Sequence, residues 1–139
     1  VSYFTRAALE TIIPPAFLVE ALDDDGDGVE DSGLYDSLAA EAEAAVDEFI
    51  SRRYSVPISP VPAMVANAAK IFAAEMLHQR RGQYGEKNPF SARANAHRTT
   101  LEMIATGDIT FGPTTAPAKS PISIVTEASG TVPASRING

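Results

Sequence analysis

The chain has 139 residues, 45% apolar and 21% charged, with a formal net charge of −7. That length suits one domain with a true hydrophobic core. The absence of cysteine excludes disulfides and thiolate metal or redox sites, and no apolar run nears the roughly 18 residues that cross a bilayer.

The first helical signal is Thr5, an N-cap for a short helix "RAALETII" that Pro14 and Pro15 end. The same prolines suit the first turn of a second short helix, "PAFLVEAL". An acidic loop follows, with six carboxylates in nine positions: Asp23, Asp24, Asp25, Asp27, Glu30 and Asp31. Asp31 or Ser32 is then expected to cap a long helix. Its apolar stripe is Leu34, Leu38, Ala42, Ala45, Val46, Phe49 and Ile50.

Pro57, Pro60 and Pro62 break the pattern and predict an extended connector. A second long helix is predicted from about Val61 to Arg81, with Val65, Ala68, Ala69, Phe72, Ala73, Met76 and Leu77 inward. Gly82 and Gly85 end it, and Asn88 is a candidate cap for a third helix over 89–106. That helix carries Phe90, Ala94, His97, Leu101 and Ile104 on one side, with Gly107 at the C-cap position. The fold class is therefore all-α: a small bundle of three main helices plus short N-terminal helices, over residues 1–112. Residues 113–139 are rich in Pro, Ser, Thr and Ala and predict an extended C-terminal arm, with "ISIVT" its only strand-like segment.

The loop has the pattern of a calcium site. Counting from Asp23, Asp25 and Asp27 fall at positions 3 and 5, and Gly28 at the sharp turn of position 6. Val29 would offer its carbonyl at position 7, and Asp31 stands at position 9. Position 12 is Leu34 where a bidentate Glu is required, and Asp36 is the candidate replacement. Position 8 is the charged Glu30 rather than an apolar residue. The expected cofactor is thus none required, with Ca²⁺ as a candidate structural ion. The plain alternative is a solvated acidic connection between helices.

Catalytic signals are thin. His78 and His97 lie in no ligand or nucleophile motif, and no phosphate-binding glycine pattern occurs. No enzyme activity is expected. Charge is unevenly spread: through Ser51 there are thirteen acidic residues against Arg6 alone, a balance of −12, and from Arg52 on ten basic against five acidic, or +5. Such a split can suit head-to-tail packing of identical copies, although charge alone favours the plain reading of a mixed surface without any partner.

Read in order, "YFTRAALE", the D-x-D-x-D-G loop, the Ala- and Glu-rich helix, Arg53-Tyr54 and "VPISPVP" resemble the small head–tail connector (adaptor, head-completion) proteins of tailed phages, Mu-like prophage type. The resemblance runs over residues 3–112. It implies a structural virion protein of the neck, assembled in the host cytoplasm, that forms a ring of typically twelve copies under the portal. Its partners would be the portal protein, a tail-terminator or stopper protein, and its own copies. DNA would only pass through its channel, and no membrane is involved. The tail beyond Gly112 resembles the family less, but its extended character suits an arm that docks on neighbours, with Ile122, Ile124, Val125 and Arg136 as candidate contact residues, and Arg80, Arg81, Arg93 or Arg98 are expected at subunit contacts or facing the channel. The alternative is a calcium-stabilised helical protein-binding module unrelated to phage.

Overall fold

A computed structural model describes residues 2–111. It contains five α-helices and, among the described residues, no strand: α1 Arg6–Leu9, α2 Pro15–Ala21, α3 Leu34–Ile50, α4 Ala63–Arg80 and α5 Ser91–Thr106, with a 3₁₀ turn at Gly85–Lys87. The expected all-α bundle is therefore present. The arm, with Ile122, Ile124, Val125 and Arg136, lies outside the described residues.

Helix α4 is the centre and packs on each of the other four. Its alanines 68, 69, 73 and 74 are fully buried, and their small side chains let neighbouring helices approach on several sides at once, while Phe72 and Leu77 fill the gaps. Helix α3 buries one narrow stripe, Leu38, Ala42, Val46 and Ile50, each four residues from the last. Helix α5 contributes Ala94, Leu101, Ile104 and Ala105. Helices α3 and α4 run in opposite directions, since Leu34 and Leu38 face Met76 and Gln79 near the end of α4. Arg52 meets Glu102 and Tyr54 meets Phe111, which sets α5 running the same way as α3.

Boundaries differ from expectation at four places, the first being α1, which ends at Leu9 instead of running on to the prolines. Helix α3 starts at Leu34 with Gly33 as N-cap at φ +82°, so neither Asp31 nor Ser32 caps it. The Asp31 carboxylate instead accepts the Asp24 N–H at 3.0 Å, which takes it out of reach of the helix. Helix α4 starts after Pro62, because a proline-rich approach cannot supply earlier helical hydrogen bonds. Helix α5 starts at Ser91 rather than Pro89, with Phe90 as N-cap, so Asn88 does not cap it; its Oδ1 accepts the Phe90 N–H at 3.0 Å just before the helix. The C-cap expectation at Gly107 holds: φ is +91°, and the N–H groups of Gly107 and Asp108 return to the carbonyls of Ile104 and Met103.

The N-terminal segment is fixed by Tyr3. Its N–H donates to Glu43 at 2.8 Å and its hydroxyl donates to Asp47 at 2.6 Å, while accepting the buried Ile58 N–H at 3.0 Å. One side chain thus ties the chain start, α3 and the proline connector together. Thr5 caps α1 by accepting the Ala8 N–H at 3.1 Å.

Candidate functional site

The acidic loop closes on itself through a backbone bond, Asp31 N–H to Leu22 carbonyl at 2.8 Å. Inside it Asp23 is the organiser. One carboxylate oxygen accepts the N–H groups of Gly26 at 2.8 Å and Asp27 at 3.2 Å, and the other that of Gly28 at 2.7 Å. Gly26 and Gly28 sit at φ +76° and +85°, the left-handed region that an aspartate-rich turn of this tightness needs. Asp25 accepts the Asp27 N–H and Asp27 accepts that of Val29.

These turns bring carboxylate oxygens of Asp23, Asp25, Asp27 and Asp31 within 4.8 Å of one another. The crowding shows in their acidity. Asp25 is pushed up to about 6, chiefly by a hydrogen bond shared with the Asp23 carboxylate and further by Asp27. Asp23 shifts the other way: desolvation would raise it, but the N–H groups of Gly28, Gly26 and Asp27 and the bond to Asp25 outweigh that. Four hard oxygen donors at loop positions 1, 3, 5 and 9 fit a calcium-sized cation. Asp36 is not in this group; it lines a separate groove with Ser2, Thr5, Arg6 and Glu43. Val29 at position 7 is exposed at the loop's outer edge.

Two arginines hold the loop from outside. Arg6 grips Glu30 with two nitrogens, one bond measuring 2.8 Å, binds Glu10 at 3.2 Å, and lies 5.0 Å over the Tyr35 ring. The bidentate contact holds the Glu30 carboxyl below its ordinary range. The charge at position 8 therefore has a cause: Glu30 anchors the loop to α1. On the opposite edge Arg80 donates to the Ala21 carbonyl at 2.8 Å and to Asp24 at 2.5 Å, and Arg81 pairs with Glu20 at 3.2 Å.

The remaining arginines named from the sequence also have contacts within the chain. Arg98 pairs with the buried Glu75 at 2.6 Å and lies 4.9 Å over Phe72, and Arg93 lies 4.7 Å over Phe90. His78 is stacked on Phe17 at 4.5 Å and bonded to Gln83, while His97 is half-buried, with burial alone lowering its pKa. Glu75 and Glu102 do not meet; Glu102 pairs with Arg52. Two features that matter were not picked out by sequence reasoning: Tyr3, and Asn88 in its wider role. Asn88 donates to the carbonyls of Glu75 and Gln83 and accepts the Phe90 N–H just before α5. An asparagine between "GEK" and a helix start was the one visible signal among them.

A family model described as Bacteriophage Mu, Gp36 matches residues 3–126. The chain belongs to this family of phage proteins. No curated protein matches it. Among the described residues no helix is long and apolar enough to cross a membrane.

Proposed function

We propose that the protein is a structural component of a phage neck, a head–tail connector that forms a ring beneath the portal, joins capsid to tail and continues the DNA channel. Membership in the Mu Gp36 family carries the reading, because it narrows the chain to a phage protein. The fold is compatible with it. A helical bundle cross-tied by Tyr3, Arg6, Arg80 and Asn88 suits a ring subunit that must hold its shape. Exposed carboxylates along α3 (Asp36, Glu41, Glu48) and cations elsewhere (Arg53, Lys70, Lys87, Arg93) form no ion pair among the described residues. They are available to meet a neighbouring copy or the portal.

The test is negative-stain imaging of the full chain mixed with portal rings from the same genome. Added density with the portal's symmetry is expected. A monomer that leaves the portal bare would overturn the assignment.

A second reading, a calcium-stapled helical binding module, is favoured by the four converging carboxylates. Calorimetric titration with calcium decides it: heat at submillimolar to millimolar calcium supports the staple, and none at millimolar calcium removes it.

A further inference from the structure

Helices α3 and α5 pack on α4 and on each other, and each leaves its opposite face uncovered among the described residues. On α3 that face holds Asp36, Ser37, Ala40, Glu41, Ala44 and Glu48, which share one side of the helix and are all exposed. From Leu34 to Ile50 there are five carboxylates and no cation. Tyr3 uses Glu43 and Asp47. Asp36, Glu41 and Glu48 have no ion-pair partner among the described residues. One helix face thus carries unpaired negative charge over about 18 Å of its axis.

Helix α5 presents the opposite sign. Its outward face is Ala92, Ala96, Thr99 and Met103, each three or four residues from the last and all exposed. Unpaired cations stand at both ends of it. Arg93 is exposed in the first turn, with the Phe90 ring at 4.7 Å, and Lys87 precedes the helix. At the other end the Arg53 guanidinium lies against Gly107, about 21 Å along the axis from Arg93. Glu102 lies between them, and Arg52 neutralises it at 3.4 Å. Glu86 and Asp108, the carboxylates nearest these ends in the chain, are outnumbered by Lys87, Arg93 and Arg53.

The two faces are complementary in charge and in the spacing of their charges. Between the charged ends the side chains are small, so two helix axes can approach to about 8 Å. Antiparallel order suits them best. Glu48 then meets Arg93 and the first turn of α5, which has no side-chain cap, while Asp36 meets Arg53. Parallel order would also pair the charges, but it sets like ends of the two helix dipoles side by side and lays Met103 against Glu48. Antiparallel order instead brings Met103, 40% exposed, to Ser37, which lines one groove with the exposed Tyr84 ring.

We infer that α3 of one molecule packs antiparallel on α5 of a second copy, joining Glu48 to Arg93 and Asp36 to Arg53. Because two different faces meet, every copy keeps one of each for the next, and the association runs head to tail. A single helix pair buries well under the roughly 1,000 Å² of a stable interface, so free chains associate weakly. The inference concerns copies of the free chain and does not rest on the connector reading.

Cross-linking between separately labelled full-length chains captures a weak contact. The chain has no cysteine, so introduced thiols are the only ones present. S37C chains mixed with T106C chains at low salt, with a short bis-maleimide, should link about tenfold faster than S37C chains mixed with A92C chains. Adding E48K to both partners should slow the link, and adding R93E to those same chains should restore it, since the exchanged charges still meet across the contact. All these positions except the half-buried Ser37 neighbours Leu34 and Leu38 are on the surface, and unchanged circular dichroism checks that the variants fold. The assignment is overturned if the two cysteine pairs link equally fast, if S37C chains link to each other as fast as to T106C chains, or if nothing links at millimolar protein. It also falls if E48K leaves the link between copies untouched but weakens binding to portal rings, which would make the portal the occupant of the acidic face.

Discussion

At the scale of single residues, the molecule depends on a few polar side chains with several partners each. Tyr3 is the clearest. Its hydroxyl accepts the N–H of Ile58, which is 2% exposed and has little access to water. Tyr3→Phe leaves that donor unsatisfied, and a loss of about 1–3 kcal/mol is expected from denaturant midpoints. Arg6 acts similarly on the loop. Arg6→Ala removes the bidentate bond to Glu30, and because both partners are partly solvated the expected loss is about 1–2 kcal/mol. Arg6→Lys should not restore it, since an ammonium cannot make the two parallel bonds. Equal stability of the lysine variant and the native chain would show that charge alone holds the loop. His97 sets a pH dependence. Burial lowers its pKa from the ordinary 6.5, so the folded state holds fewer protons there than the unfolded chain. Its contribution is present above about pH 6.5 and is lost as pH falls through the folded value. His97→Gln should flatten that part of the stability profile, measured by thermal unfolding between pH 5 and 7.5.

At the scale of elements, helix ends decide more than helix middles. Gly107 sits at φ +91°, and a Cβ there would come within 2.0 Å of the Arg53 guanidinium. Gly107→Ala should therefore cost about 1–2 kcal/mol for the left-handed backbone, plus displacement of Arg53. In a double-mutant cycle Arg53→Ala should recover the second part and not the first. This also explains why an Arg-Tyr pair stands after α3: Arg53 covers the end of α5, and Tyr54 holds Phe111. Such links join residues more than fifty apart, so no local window of sequence displays them. What was legible was periodic. The i+4 spacing of Leu38, Ala42, Val46 and Ile50 and the glycine after α5 followed from short-range chemistry. Helix α4 was legible as a helix but not in full, because a helix buried on most sides has no single stripe. Ile71, Ala74 and Glu75 are buried off the face that its spacing suggested. The loop's carboxylates were legible as a cluster, whereas the exclusion of Asp36 and the anchoring of Glu30 by Arg6 depend on how α1 and α3 approach. The one sequence sign of that anchor was a charge at position 8, where a paired calcium loop carries an apolar residue.

At the scale of the whole molecule, the charge split along the sequence leaves exposed groups of both signs without an ion-pair partner among the described residues. The ion pairs that form within the chain use Arg6, Arg52, Arg80, Arg81 and Arg98, each on a nearby carboxylate. Of these, Arg6–Glu30 and Arg98–Glu75 are partly buried and weakly screened by salt, whereas Arg52–Glu102, Arg80–Asp24 and Arg81–Glu20 are exposed and add little to fold stability. The exposed carboxylates of α3 and the loop, and the cations at Arg53, Lys70, Lys87 and Arg93, act over longer distances. Their influence on a partner falls once the Debye length shrinks from about 10 Å at 0.1 M salt to about 3 Å at 1 M. Assembly and folding should therefore separate on a salt axis. Raising salt across that range should slow association with portal rings or with further copies, while the thermal midpoint of the free chain moves little. Asp36→Lys together with Glu48→Lys should slow association at low salt and leave the helical content unchanged, because both side chains are exposed. Association that is indifferent both to salt and to these reversals would mean that apolar contact, and not the charge split, drives assembly. The residues to change next would then be the exposed Tyr84, Met103 and Ile109.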